Sequence, residues 1–263
     1  MRKIFAILTI TVLLSSCEKE ISIDLNSSDP QIVIEGNITD APAPYFVKIT
    51  KTVNFSEGNN YPPVSNALVI ISDNTGIADT LTETTAGLYK TNILYGQPAK
   101  TYYLSVTAED KNYYAVSAMP KKTNLDTLHF TPFGGLSGGN SYAAIPIFAD
   151  PISYGNNYRF LLTVNGVLAK SYIVLNDNVN NGLINQRPIF DHVSKIKKGD
   201  SVTVEMRCID LNTYTYFYTL SKIAGGGPSG STTPSNPPNN ITGNKALGYF
   251  SAHTTQTRTQ KVQ

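Results

Sequence analysis

The chain holds few residues whose types and spacing would support catalysis. Its three histidines, His129, His192 and His253, lie far apart, and none belongs to a His-x-x-x-His or Cys-x-x-Cys arrangement that would hold a metal ion. No Gly-x-Ser-x-Gly nucleophile elbow occurs. The glycine-rich stretch FGGLSGGNS at 133–141 lacks the Lys-Ser/Thr ending of a phosphate-binding loop. We therefore expect no metal, no cofactor and no enzymatic activity.

Carboxylates leave one catalytic alternative open. Glycoside hydrolysis needs two acidic side chains separated by about 5 to 9.5 Å. The sequence spacing does not pair any of the candidates, so the fold would have to bring two of them together. These candidates are Asp150, Asp191, Glu205 and Asp210.

Tyrosine is the residue type best suited to binding in this chain, which has 16 tyrosines and no tryptophan. A tyrosine offers a large contact area with few rotatable bonds and a hydroxyl that tolerates water, which suits peptide and sugar ligands. The alternative is that these rings fill the cores of β-sheets or support strand pairs. The candidate binding residues are Tyr214, Tyr216, Tyr218, Tyr249 and Phe250.

The N-terminal residues carry a clear targeting signal. Arg2 and Lys3 precede an apolar run at 4–14, which is the pattern of a secretory signal peptide and is too short to span a membrane as a helix. The sequence Leu-Ser-Ser-Cys then resembles the bacterial lipobox, in which the cysteine is acylated after cleavage before it. We expect residues 1–16 to be removed and Cys17 to carry the lipid that anchors the chain to a membrane.

Lipidation of Cys17 leaves Cys208 as a lone thiol, and its position in an alternating strand predicts a buried structural cysteine. The residues that follow the lipobox cysteine, Glu18, Lys19 and Glu20, resemble an acidic export signal for the cell surface. We predict a lipidated tether at 17–30, in which these charges could equally serve only to keep the tether solvated.

Composition favours a mainly β chain. Hydrophobic residues make up 41% and charged residues 15%, and the net charge of +2 gives no footprint for nucleic acid. Short alternating segments recur about every ten residues with turn residues between them, as in a β-sandwich. We predict two β-sandwich-like domains at 31–120 and 121–263, the second with long loops at 133–141 and 225–240 and one short helix near 212–224, with Asn212 as its N-cap.

The predicted strands follow this alternation. Gly76 and Gly87 allow tight hairpins in the first domain, and Tyr89 is placed to cap the edge of its core. The strands are predicted at 31–39, 45–55, 67–72, 79–83, 87–92, 101–108, 113–119, 126–130, 144–148, 158–165, 170–175, 201–210 and 246–252.

Two resemblances extend this interpretation. The segment PVSNALVIISDNTGIADTLTETTAGLYKT at 63–91 resembles the repeat of carboxypeptidase-regulatory-like, prealbumin-type β-sandwiches. The order of IVIEGNIT, DPISYGNNYRF, GDSVTVEMRCIDLNTYTYFYTL and NPPNNITGNKALGYFSA is similar to that of a Bacteroidota lipoprotein family, domain-of-unknown-function family 4249. This resemblance implies an outer-membrane lipoprotein associated with a TonB-dependent receptor.

The expected function is therefore a non-catalytic accessory for nutrient uptake, lipid-anchored and exposed at the cell surface, with a peptide or glycan as ligand. A structural or adhesive surface protein without a transport partner is the alternative. Three Asp-Ser/Thr-apolar tripeptides also resemble the O-glycosylation sequon of Bacteroidota, with Thr80, Thr127 and Ser201 as acceptors.

Overall fold

The computed structural model describes residues 29–54, 57–133, 141–189, 191, 194–224 and 236–263. Cys17, Glu18, Lys19 and Glu20 lie outside the described residues, as do most of the predicted loops, so lipidation and export stay predictions. The chain is mainly β, as predicted. The first strands are β1 Ile32–Thr39, β2 Phe46–Lys51, β3 Leu68–Asp73, β4 Ala78–Thr80, β5 Thr82–Thr85, β6 Leu88–Lys90, β7 Thr101–Ala108 and β8 Lys111–Ala118.

The second half has strands of more uneven length, from 2 to 16 residues, and it contains the helix. No helix of the described part is long and apolar enough to cross a membrane. The elements are β9 Thr127–Pro132, β10 Tyr142–Ala149, β11 Asn157–Val164, β12 Val167–Leu168, β13 Ile173–Asn176, β14 Ile184–Asn185, β15 Ser201–Ile209, α1 Leu211–Ala224, β16 Ile241–Gly243 and β17 Ala246–Lys261.

One large sheet runs through both halves of the chain. Its strand order is β12-β11-β15-β17-β1-β2-β6-β5, and β13 pairs with β11 beside β12. A five-stranded sheet, β16-β8-β7-β3-β4, packs against the part of the large sheet that comes from the first half. A three-stranded sheet, β14-β10-β9, packs against the part that comes from the second half. The molecule therefore has two hydrophobic cores on one shared sheet.

The first core lies between β1, β2, β6 and the five-stranded sheet. Alternate residues of β1 are buried, as the period of two predicts, and Val69 and Ile71 face them from β3. Tyr89 caps this core as predicted, because its hydroxyl donates to the Val64 carbonyl at 2.9 Å and accepts from the Ala67 amide at 3.0 Å. Gly87 has a positive φ of 72°, and a Cβ there would lie 2.5 Å from the Ile49 carbonyl oxygen.

The second core lies between β11, β15 and the three-stranded sheet. Phe148 from β10 packs on the ring of Tyr158 in β11, with 4.7 Å between ring centroids. Alternate residues of β15, from Val202 to Cys208, complete the core. Cys208 is buried and free, so the predicted structural thiol is confirmed.

Strand β17 connects the two cores. Its residues 246–253 pair in parallel with β1, and residues 254–261 pair antiparallel with β15. The predicted closing strand at 246–252 is therefore the first half of a longer strand. Where β17 leaves β1, the carboxylate of Asp40 accepts a hydrogen bond from the Thr255 amide at 2.7 Å. The same strand thus completes the first core and extends the sheet of the second.

In its first half, β17 pairs with β1 along one edge only, and side chains instead of a strand bond to its opposite edge. Asn240 donates to the Phe250 carbonyl at 2.7 Å and accepts from the Phe250 amide at 3.0 Å. Further along the edge, Ser117 of β8 accepts from the Ala252 amide at 2.8 Å. These contacts satisfy backbone groups that an edge strand would otherwise leave unpaired.

Helix α1 is confirmed close to its predicted bounds, but the predicted N-cap at Asn212 is wrong. Asp210 Oδ1 accepts from the Thr213 amide at 2.8 Å, so Asp210 caps the helix. The helix starts one residue earlier than predicted because β15 ends at Ile209 and leads directly into the cap. The second carboxylate oxygen of Asp210 accepts from the Ser117 hydroxyl at 2.5 Å, which ties the start of the helix to the first core.

Candidate binding surfaces

The inner face of α1 packs on the large sheet and is structural. Phe217 is buried, and its ring meets Tyr249 of β17 edge-on at 4.8 Å between centroids. The guanidinium carbon of Arg159 lies 3.5 Å from the centroid of the Phe217 ring. Tyr216 packs against Tyr249 at 5.1 Å, and burial raises the pKa of Tyr216 to about 12. Aromatic packing therefore fixes the helix on the sheet.

A small polar cluster lies in the same layer. His253 is buried, its Nδ1 lies 3.1 Å from the Ser251 hydroxyl, and its Nε2 has no hydrogen-bond partner among the described residues. Burial, together with the charges of Arg207 and Arg159, lowers the pKa of His253 well below its usual value. The imidazole is therefore neutral at physiological pH.

The outer face of α1 carries a stacked aromatic pair, of which Tyr218 is exposed and Tyr214 is half-buried. The rings of Tyr214 and Tyr218 stack with 5.7 Å between centroids, and Tyr218 is 44% exposed. The hydroxyl of Tyr214 accepts a hydrogen bond from Asn176 of β13 at 3.1 Å. The ammonium of Lys222, one turn further along, lies 5.1 Å from the Tyr218 ring centroid. This face offers a ring surface beside a cation.

A groove of about 480 Å³ runs between α1 and β13, and we call it the helix groove. One wall is the run of residues 170–175, and the facing wall is the C-terminal half of α1, with Tyr218, Ser221 and Lys222. Pro188 and Ile189 border it from the side of the second core. A second groove of about 400 Å³ shares Lys170, Ser171 and Tyr172 with the first. Each wall of the helix groove therefore carries a positive side chain, Lys170 on one and Lys222 on the other.

A second surface lies at the tips of two loops, one between β10 and β11 and the other between β13 and β14. These loops and the first residue of β14 expose five large apolar side chains, which we call the apolar loop pair. Ile152 is 83% exposed and Tyr154 is 81% exposed. Soluble surfaces seldom gather exposed large hydrophobic residues in one place without a binding role. The five residues are Ile152, Tyr154, Val179, Leu183 and Ile184.

Hydrogen bonds hold the two loops together. Asp150 Oδ2 accepts from the Gly182 amide at 3.1 Å, and the Asp150 amide donates to the Leu183 carbonyl at 3.0 Å. Asn181 donates to the Ile152 carbonyl at 2.8 Å. On the neighbouring side, Asp177 accepts from the Asn156 amide at 2.8 Å. The exposed apolar side chains therefore stand on fixed backbone.

The structure separates the predicted binding residues into exposed and buried members. Tyr218 lines the helix groove, and Tyr214 stacks behind it, whereas Tyr216 and Tyr249 are half-buried in packing between helix and sheet. Phe250 is fully buried in the first core, so its prediction as a binding residue is wrong. The reason is parity, because Phe250 points to the opposite face of β17 from Tyr249.

The four candidate carboxylates serve separate structural tasks. Asp150 accepts from the Tyr158 hydroxyl at 2.5 Å, and Asp210 caps α1. Glu205 pairs with Arg207 at 2.6 Å, and Asp191 accepts from the hydroxyl of Ser171 and from the Ser194 amide. Their partners lie on different elements, and each partner accounts for its carboxylate in structural terms.

Metal ligation finds no support in the described part of the chain, where no group of three or more His, Cys, Asp or Glu side chains is placed to hold an ion. His129 is exposed on β9, His253 is buried, and His192 lies outside the described residues.

The three predicted glycosylation residues differ in accessibility, and the modification itself stays a prediction. Thr80 and Ser201 are exposed, whereas Thr127 is half-buried. Asp79, which opens the first tripeptide, is buried, and its Oδ2 accepts from the amides of Ile93 and Leu94 at 2.8 and 2.9 Å. A structural task thus accounts for Asp79.

Sequence reasoning missed the residues that define both surfaces. Lys170 and Tyr172 carried no signal, because the run around them reads as an ordinary strand. Ile152 and Tyr154 are isolated apolar residues in a polar loop, which shows no periodicity. The one available signal was the DPISYG sequence itself, where two large apolar residues interrupt turn residues.

The fold and these surfaces define a class of mainly β protein with two sandwich-like cores that share a sheet. The chain belongs to the family described as Domain of unknown function (DUF4249), whose model matches residues 18–259.

Comparisons with individual proteins add little to this assignment. No curated protein matches the chain. Among solved structures, the chain is similar to a segment of two fibronectin type-III domains from chicken tenascin, with 10% sequence identity and a TM-score of 0.25. That alignment covers 89% of this chain and 100% of the tenascin segment.

Proposed function

We propose that this chain is a non-catalytic accessory protein of the outer membrane, lipid-anchored through Cys17 and exposed at the cell surface. In this proposal it works with a TonB-dependent receptor in nutrient uptake. The lipobox and the acidic residues after it support the anchor and the export, and the resemblance to Bacteroidota lipoproteins suggests the receptor.

The apolar loop pair is the observation that carries the proposal of a protein partner. Ile152 and Tyr154 are more than four-fifths exposed, yet the hydrogen bonds of Asp150 and Asn181 fix the backbone beneath them. Burying such side chains releases about 25 cal/mol for each Å² of apolar surface removed from water. Because the loops are already ordered, little conformational entropy is lost when a partner covers them.

The anchor would increase the effect of a modest interface. A lipid-anchored protein and a membrane-embedded receptor share one surface, so their encounter takes place at a raised effective concentration. The apolar loop pair therefore needs to supply specificity more than affinity.

The proposal is tested by purifying the full chain from membranes in mild detergent and identifying what accompanies it. We expect a TonB-dependent receptor to co-purify. The double variant Ile152→Asp with Tyr154→Ser should reduce the recovered receptor at least tenfold, because it places charge and a smaller polar group in the interface. Val167→Asp is the matched control. Val167 is another exposed apolar residue, at 67%, but it lies on the β11–β12 hairpin.

Two results would contradict the proposal. The first is recovery of the lipoprotein alone in several mild detergents. The second is a deletion strain that loses attachment to surfaces while growth on defined peptides and glycans stays normal, which would support the adhesive alternative. A Cys17→Ser variant separately tests the anchor, because it should leave the membrane fraction.

A further inference from the structure

Strand β13 forms an unpartnered sheet edge along the helix groove. It pairs antiparallel with β11 on one side, in the register Phe160↔Ile173 to Asn157↔Asn176, and it pairs with no other described strand. Consecutive residues from Lys170 to Leu175 line the groove, which is the pattern of a backbone edge and not of a side-chain face.

The register identifies which backbone groups of β13 point into the groove. The Asp177 amide donates to the Asn156 carbonyl at 3.1 Å, so Asn156 and Asp177 form a hydrogen-bonded pair. Hydrogen-bonded and non-hydrogen-bonded pairs alternate along an antiparallel ladder, so every second pair of β11 and β13 from that position is hydrogen-bonded. Ile173 and Leu175 then bond to β11, whereas Val174 and Asn176 direct their N–H and C=O groups outward. Arg187 confirms this phase, because its Nη2 donates to the Asn176 carbonyl at 2.6 Å.

The groups of Val174 are left without a hydrogen-bond partner among the described residues. An open strand edge is a template for a further strand, since each free amide and carbonyl can pair with the main chain of a peptide. The helix groove has the two walls that such a mode requires, a strand edge and the C-terminal half of α1.

Charge limits the kind of peptide that fits. Lys170 and Lys222 line the groove, and the carboxylate of Asp191 on its border accepts from Ser171 and from the Ser194 amide. Tyr218 adds a ring surface beside Lys222. The groove is therefore complementary to an extended chain that carries an acidic side chain.

We infer that the helix groove binds an extended acidic peptide segment, which adds to the edge of β13 as a further antiparallel strand. The site shares no residue with the apolar loop pair, so this inference goes beyond the proposed receptor interface and stands without it.

The experiment uses the full chain in detergent and two pools of acetylated, amidated nine-residue peptides, one with Glu fixed at the centre and one with Lys. We expect the Glu pool to be retained at least tenfold more than the Lys pool. Val174→Pro removes the outward N–H and is tolerated at an edge position, so it should lower retention about tenfold. Val174→Ala is the matched control, because it removes side-chain atoms and keeps the N–H.

Two further arms keep the test decisive if Val174→Pro does not fold. Lys222→Glu on the outer face of α1 should shift the preference from the Glu pool toward the Lys pool. Alternate amides of the Glu pool can be N-methylated in two ways, at the odd or at the even positions. One set should abolish retention and the other should preserve it, because only one edge of the peptide pairs with β13.

Equal retention of both pools, or equal effects of the two N-methylation sets, would overturn the inference. Retention of neutral oligosaccharides that Val174→Pro leaves unchanged would also overturn it, since a sugar does not need the strand edge. None of these results changes the co-purification test, which depends on the apolar loop pair.

Discussion

Tyr89 in the first core and Tyr154 in the second half show opposite uses of one side chain. In the first core, Tyr45, Tyr89 and Tyr102 are buried, and each hydroxyl bonds to backbone, as between Tyr45 and the Ala41 carbonyl at 2.7 Å. In the second half, Tyr154 is 81% exposed and carries no such task. Tyr89 therefore serves as scaffold, whereas Tyr154 is presented to solvent.

The loops differ in the same way. In the first half, carboxylates fix loops whose backbone closes the sandwich, as Asp79 does for residues 92–94. In the second half, Asp150 fixes loops that carry exposed Ile152 and Tyr154. Loop rigidity is common to both halves, and Ile93 in the loop held by Asp79 is itself 61% exposed. The apolar loop pair differs because it gathers exposed large apolar residues on two adjoining loops.

The sharpest test of this difference is Phe250→Ala. Phe250 is fully buried in the first core, so truncation leaves a cavity and should lower the free energy of unfolding by about 3 to 5 kcal/mol. Urea unfolding followed by tyrosine fluorescence measures this. Tyr218→Ala, on the exposed face of α1, should change stability by less than about 0.5 kcal/mol. Similar losses for both variants would contradict the division into scaffold and recognition.

Asp79→Ala tests the loops of the scaffold. It removes the acceptor of the amides of Asn92, Ile93 and Leu94, and it should cost about 3 kcal/mol, because one buried and two partly buried donors lose their partner. Thr80→Ala is the neighbouring control and should be close to neutral in the folded chain. Differential scanning calorimetry compares them, and a neutral Asp79→Ala would remove this structural explanation of the Asp-Thr-Leu sequence.

His253 tests the layer between the halves through pH. Burial depresses its pKa in the folded state, so the unfolded chain binds a proton first as the pH falls below about 6.5. The contribution of His253 to the free energy of unfolding is complete above that pH and decreases below it. The decrease is about 1.4 kcal/mol between pH 7.5 and 5.5. His253→Gln should lose that decrease in urea titrations at the two pH values, whereas His129→Gln, on an exposed strand, should retain it.

Much of the fold could be predicted because alternation reports burial directly. The strands β1, β7 and β15 lie within one residue of their predicted bounds, since their apolar residues keep a period of two. The second half of β17 could not be predicted, because its sequence HTTQTRTQK lacks apolar alternation. Pairing with β15 stabilises it instead, as in the contact of 2.8 Å between the hydroxyls of Thr203 and Thr259.

The candidate site was less accessible to sequence reasoning. Tyr218 was found because aromatic residues cluster in α1, but Phe250 was included wrongly, since adjacency to Tyr249 does not show which face of a strand each residue occupies. The open edge of β13 depends on tertiary pairing, and the apolar loop pair depends on two loops that meet in space. Neither has a local pattern.

The parallel pairing of β1 with β17 has a mechanical consequence. The chain enters β1 at Ile32, whereas β17 continues from His253 into the second half at the opposite end of the paired stretch. Tension between the N-terminal side of β1 and the second half would therefore load the eight paired positions in shear, so that their hydrogen bonds resist together instead of separating one by one. Single-molecule pulling on the two ends of the chain would measure this resistance, which would suit the proposed lipid-anchored protein if it holds a partner.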